Sequence, residues 1–74
     1  MQVKVKLFAT LREGREKEQL MSLDDSATPA DIFKVLNIPA NEVAILFING
    51  QDGEFDQPLK DGDTLSIFPP VGGG

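Results

Sequence analysis

The chain contains no cysteine and no histidine. The first absence removes disulfide staples and thiolate nucleophiles. Together the two remove the commonest ligands of structural and catalytic zinc. Without histidine there is no Ser–His pair and no usual general base. A cysteine-free sequence also fits a reducing compartment. No apolar run reaches the roughly 18 residues that a membrane helix needs. The opening MQVKVKLF is too short and too regularly alternating for a signal peptide. A cytoplasmic protein without membrane attachment is the expectation. Basic residues are in the minority, 7 against 12 acidic, for a formal charge of -5. Phosphate backbones need clustered cations, so nucleic acid is a poor partner.

At 74 residues the chain has room for one domain and an economical core. VKVKLF alternates with period two and predicts a half-buried strand, with Val3, Val5 and Leu7 inward. Phe8 falls on the same side as Lys4 and Lys6, an apolar residue on the polar face. LREGREKE predicts a charged turn around Gly14. EQLMSL predicts a second strand closing a hairpin, with Met21 and Leu23 inward.

DDSATPADIFKVLNIP carries a helix start. Thr28 can cap the first turn, Pro29 suits the first helical position, and Asp31 completes a capping box with Asp in place of Glu or Gln. Ile32, Val35 and Leu36 share one face, Phe33 flanks it, and Pro39 stops a helix of about ten residues. EVAILFING is apolar on both faces and predicts a strand in the middle of the sheet, ended by a turn at Asn49-Gly50. The next segment is rich in turn formers, with Phe55 and Leu59 as anchors. TLSIF alternates again, with Leu65 and Ile67 inward and Thr64, Ser66 and Phe68 outward. Pro69-Pro70 ends any ladder. The order strand, strand, helix, strand, possible short strand, strand is a two-layer α+β arrangement.

Side-chain chemistry is scarce. Ser22, Ser26 and Ser66 lack an activating partner. Asp24-Asp25 and the Asp61-Gly62-Asp63 run sit in turn positions, where Asp usually bonds local backbone. No metal site is expected. A domain this small has little room for a pocket of the usual ~300 Å³ or more. The remaining reactive group is the α-carboxylate of Gly74. Glycines are thin enough to enter a closed site. Pro69 and Pro70 form a stiff base for Val71, Gly72, Gly73 and Gly74, which reach at most ~14 Å when extended. Residues 1–70 are therefore expected to form the domain and 71–74 a flexible glycine tail. A carboxylate becomes a good electrophile once joined to AMP, and a sulfur nucleophile can then displace AMP and leave a thiocarboxylate. The plain alternative is a loose chain end with no role.

The sequence resembles the ubiquitin-like sulfur carriers of the MoaD/ThiS type over nearly its whole length. Phe8-Ala9 with Leu11-Arg12-Glu13 is similar to the F-A-x-x-R-E stretch of the molybdopterin-synthase small subunit. Phe55-Asp56-Gln57-Pro58-Leu59 is similar to its F-D-x-P-L, and Asp61-Gly62-Asp63 follows at the family distance. Phe68-Pro69-Pro70-Val71 and Gly73-Gly74 match its ending. Gly72 departs from the family, which usually has another residue before the glycine pair. The resemblance implies a β-grasp (ubiquitin-like) fold, one helix on a mixed four- to five-stranded sheet.

It also implies that Gly74 is adenylated by an E1-like enzyme that binds ATP itself, and that a sulfur-donating enzyme supplies the sulfur. The thiocarboxylate tail would enter the large synthase subunit and donate sulfur for the molybdopterin dithiolene. The chain itself would bind no cofactor and have no active site of its own. A protein modifier joined to lysines through Gly74, and a carrier for thiamin or another sulfur pathway, are the alternatives.

Two partners must then be met by one surface. Alternation puts Phe8 and Phe68 on the outer face, and the first and last strands are neighbours in a β-grasp sheet. Either Ile45 and Phe47 or Leu46 and Ile48 join them, rimmed by Lys4, Lys6 and Arg12. Phe8, Phe68, Phe47 and Arg12 are the expected partner-binding residues.

Overall fold

The computed structural model of the chain describes residues 1–70. Its regular elements are β1 (Gln2–Leu7), a 3-10 turn (Ala9–Arg12), β2 (Glu18–Ser22), α1 (Pro29–Val35), a second 3-10 turn (Ala40–Glu42), β3 (Ile45–Ile48), β4 (Gln51–Asp52) and β5 (Thr64–Phe68). The sheet order is β2-β1-β5-β3-β4. β1 runs parallel to β5, with Lys4 opposite Thr64 and Leu7 opposite Ile67, and the other pairings are antiparallel. The first and last strands therefore lie side by side at the heart of the sheet, as expected.

Alternation decides what each strand buries. Val3, Val5 and Leu7 of β1 and Leu65 and Ile67 of β5 are fully buried. They meet Ile32 and Phe33 of α1, together with Leu11, Ile38 and Leu59 from the connections. Each such side chain contributes roughly 1.5–3 kcal/mol on burial, so these few residues carry most of the hydrophobic stabilisation. No polar or charged residue is buried among the described residues. Phe55 packs edge-on against Phe33 at 5.1 Å, and Leu59 is buried, so both act as the anchors expected of them.

Several details differ from the sequence reading. The helix has seven residues rather than about ten. It stops before Pro39 because Asn37 adopts a left-handed backbone, φ 57°. Asn37 N–H donates to the Lys34 carbonyl at 3.2 Å and Ile38 N–H to the Phe33 carbonyl at 2.8 Å. This paired closure satisfies two end carbonyls, with buried Ile38 packing beneath. Val35 is 62% exposed, because the stripe facing the sheet runs through Pro29, Ile32, Phe33 and Leu36 at helical spacing. β3 lies one strand from the edge rather than at the centre, and its outer face is open. The segment before Gly14 coils into a 3-10 turn rather than a simple charged turn.

Local chemistry fixes the ends of elements. Asn49 and Gly50 both have positive φ, 55° and 80°. This backbone matches the twist of a two-residue hairpin, here joining β3 to β4. The Asp31 carboxylate accepts the Thr28 backbone N–H at 2.9 Å, the reach-back half of a capping box. Replacing Asp31 by Ala should cost about 1 kcal/mol, read as a lower midpoint of chemical unfolding with an unchanged slope. A stability equal to the parent's would mean that the cap does not hold the helix start.

Candidate functional site

The face of the sheet away from α1 has no covering layer among the described residues. At the end where β5 finishes, it carries an aromatic cluster. Phe8 and Phe68 stack with ring centroids 4.2 Å apart and planes 11° from parallel. Phe47 meets Phe68 edge-on at 5.7 Å. Ile45 lies opposite Phe68 in the β3–β5 register and is 44% exposed. Of the two alternatives for β3, the outward pair is thus Ile45 and Phe47, while Leu46 and Ile48 are buried. The phase is set by register, since Leu46 sits opposite buried Ile67 and Ile48 opposite buried Leu65.

Arg12 reaches this cluster through a bend in the backbone. Ala9 has φ 53°, the left-handed region that costs a non-glycine residue about 1–2 kcal/mol. The bend turns the chain out of β1 and brings the 3-10 turn back over Phe8. There the Arg12 guanidinium lies 5.2 Å from the Phe8 ring centroid, and its Nε donates to the Leu7 carbonyl at 2.7 Å. Lys4 and Lys6 line the same face, with Lys4 3.9 Å from Glu18. So Phe8, Phe68, Phe47 and Arg12, selected from the sequence, come together in one place.

Arg15 was missed by sequence reasoning. Its guanidinium donates to three carbonyls: Leu36 at 3.0 Å, Asn37 at 3.0 Å and Leu11 at 3.3 Å. It ties the turn that carries Arg12 to the end of α1. Nothing in the local pattern distinguishes it from the neighbouring charges, because two of its three partners lie 21 and 22 residues away. Substituting Arg15 by Met should cost about 1–3 kcal/mol, since two partly buried carbonyls and one exposed carbonyl lose a charged donor. Amide hydrogen exchange should accelerate at both the 9–16 turn and residues 36–38. Acceleration confined to the turn would contradict the tie.

The acidic turns serve structure, but of their side-chain contacts only the one from Lys60 to Asp63 is local, and the others reach distant parts of the chain. Asp61 accepts the Gln2 backbone N–H at 2.7 Å, and Asp63 accepts the Lys60 N–H at 2.8 Å and the Asn49 side-chain amide at 2.9 Å. Asp25 lies 3.6 Å from the amino terminus. Among the described residues no group of three or more His, Cys, Asp or Glu side chains converges as a metal site. The expectation of little pocket space is corrected in one respect. Open hollows of about 440 Å³, beside Thr10, Leu11, Pro69 and Pro70, and about 460 Å³, beside Leu23, Ala27 and Val35, indent the surface. Neither contains a nucleophile paired with a base.

Pro69 and Pro70 follow β5 directly, and Pro69 is half-buried while Pro70 is exposed. The Phe68 carbonyl accepts the Ala44 N–H at 2.9 Å, so the last strand is held up to its final residue. The tail-threading roles given to Val71, Gly72 and Gly73, the reactive role of Gly74 and the flexible tail over 71–74 lie outside the described residues.

One helix on a five-stranded mixed sheet, with parallel first and last strands at its centre, is the β-grasp fold. With an aromatic face beside the end of the last strand, the class is that of ubiquitin-like carrier and modifier proteins. The chain belongs to the ThiS family, whose model matches residues 5–74. It is 31% identical to small archaeal modifier protein 3 of Haloferax volcanii, over the full length of both chains. It is similar to a Pyrococcus furiosus structure assigned as subunit 1 of molybdopterin converting factor, at 29% identity and TM-score 0.74, covering 96% of this chain and 99% of that one. It is also similar to a chain in the complex of subunits 1 and 2 of molybdopterin-converting factor from Helicobacter pylori, at 25% identity and TM-score 0.67, covering all of both chains. The resemblance seen in the sequence is thereby borne out at the level of family and fold. No helix among the described residues is long and apolar enough to cross a membrane.

Proposed function

We propose that this chain is a sulfur carrier that works through the carboxylate of Gly74, as the small subunit of a molybdopterin-synthase type of complex. An E1-like partner joins the carboxylate to AMP at the expense of ATP, releasing pyrophosphate. A sulfur nucleophile from a sulfur-donating enzyme attacks the acyl carbon, AMP leaves, and Gly74 ends in a thiocarboxylate. The large subunit then receives the tail and takes that sulfur as one of the two in a dithiolene, Gly74 returning to a carboxylate as water replaces the sulfur, so two charged chains are used for each dithiolene. The domain supplies no catalytic side chain; it presents the tail and is recognised through Phe8, Phe68, Phe47 and Arg12.

The observation that carries this reading is that the aromatic cluster is centred on Phe68, the last residue of the strand that leads to Pro69 and Pro70. A partner seated on Phe68 is within a few residues of the chain's end. The similarity to a subunit of a two-subunit molybdopterin-converting complex supports the synthase partner. A second reading is favoured by the relative named as a modifier: the same adenylate is attacked by a lysine amine, and an isopeptide bond replaces the thiocarboxylate. Both readings share the first step and diverge at the nucleophile.

Intact-mass measurement on the protein isolated from cells making the molybdenum or tungsten cofactor separates them. The carrier reading predicts a species heavier by the difference between sulfur and oxygen, with the change in the C-terminal peptide. Lysine conjugates without that species would favour the modifier. Neither species would remove both.

A further inference from the structure

The Arg12 guanidinium is held yet unspent. Its Nε is committed to the Leu7 carbonyl at 2.7 Å, and its Cζ lies over the Phe8 ring, 5.2 Å from the centroid. These two contacts hold the group beside the ring. Among the described residues no acceptor lies within hydrogen-bond reach of its two terminal nitrogens, and no carboxylate pairs with it. Arg15, three residues on, has each of its three guanidinium nitrogens engaged with a carbonyl, whereas the two terminal nitrogens of Arg12 meet no acceptor among the described residues and stand at the rim of an apolar cluster.

We infer that Arg12 is a specificity-determining residue that takes a carboxylate of the partner protein, two parallel N–H donations to its two oxygens, when an apolar partner surface covers Phe8, Phe68 and Phe47. The inference rests on the reading of this face as a docking surface for the synthase large subunit, and it names the chemistry that subunit must offer. Charge complementarity points to this occupant. The fork suits a planar two-oxygen acceptor, and the partner that covers the rings desolvates the cation, so an acceptor must come with it or the complex leaves a buried charge unpaired. A nucleic acid would supply phosphates, but the net charge of -5 opposes it. Lysine at this position keeps the charge and the ring contact but not the fork.

The test is binding of the full chain to its large synthase subunit by titration calorimetry, with rates measured at increasing salt. Arg12→Gln should weaken binding by at least about thirtyfold, because truncating one member of a desolvated, hydrogen-bonded charge pair is costly. Arg12→Lys should recover only a small part of that loss. Wild-type association should slow as salt rises, and the Gln variant should respond less. Thermal unfolding of both variants, close to that of the parent, excludes simple misfolding. If Arg12→Gln folds and binds within about twofold of wild type, against the cost expected for a buried pair, the inference is wrong while the docking reading stands. If wild-type protein itself does not bind the large subunit, the docking reading and the inference fall together.

Discussion

Deletion of Gly74 alone is expected to abolish sulfur loading while leaving thermal stability unchanged. The variant is informative because residues 72–74 are all glycine. The shortened chain still ends in Gly-Gly and still carries a glycine carboxylate, so its chemistry and terminal sequence are preserved. Only its reach differs, by about 3.5 Å for one extended residue. A displacement of even 1 Å at a reacting centre can cost about a hundredfold, so formation of the adenylate should fall by at least that factor. The fold should be indifferent: among the described residues every buried core side chain lies between Val3 and Ile67, and a glycine has no side chain to add to them. Adenylation would be followed by pyrophosphate release, and stability by thermal unfolding. Undiminished adenylation would show that distance from the docking face to the chain's end does not govern the reaction.

The second large effect is expected at Phe8. Phe8→Asp should reduce affinity for the large subunit by about thirtyfold to a thousandfold, the range of a central aromatic anchor. Two losses combine. The stacked ring at 4.2 Å from Phe68 is gone, and a new carboxylate lies beside Arg12, where it can occupy the fork from within the same chain. Stability should fall far less. Phe8 is half-buried on the open face, and an aromatic pair is worth about 0.5–1.5 kcal/mol beyond its burial. A domain with a stability of about 5–15 kcal/mol tolerates that. Calorimetric binding alongside chemical unfolding distinguishes the outcomes. An unfolded variant would place Phe8 in the structural core and remove the cluster from consideration as a docking face.

What could be read from the sequence follows the range of the interactions involved. The strands β1 and β5 were legible because alternation in VKVKL and TLSIF is a local signal with one buried face. β3 was only half legible. ILFI is apolar on both sides, so its phase depends on pairing with β5 some twenty residues later, and only the register of Leu46 with Ile67 decides that Phe47 faces out. The helix start was written in Thr28, Pro29 and Asp31, whereas its end was misplaced. Pro39 gives a strong signal, but Asn37 in a left-handed conformation acts two residues earlier. Val35 fitted an apolar stripe by spacing, but the true stripe is centred nearer Phe33 and leaves Val35 in solvent.

The site shows the same division. Phe8 and Phe68 could be placed on one face by counting alone, and the neighbouring of first and last strands brought them together. Arg12 entered through the family pattern, but its place beside Phe8 depends on the left-handed backbone of Ala9, which no local rule assigns to alanine. Arg15 was invisible because its three acceptors belong to a turn and a distant helix end.

The central claim is that the domain offers its terminal carboxylate to other enzymes and performs no chemistry with its side chains. The most direct measurement incubates the full chain with ATP, its E1-like enzyme and a sulfur source, and then determines the mass of the C-terminal peptide. The account predicts that this peptide, and no other, gains AMP when sulfur is withheld and exchanges an oxygen for a sulfur when it is supplied. A peptide that stays unmodified while the activating enzyme and the chain form a stable complex would contradict it.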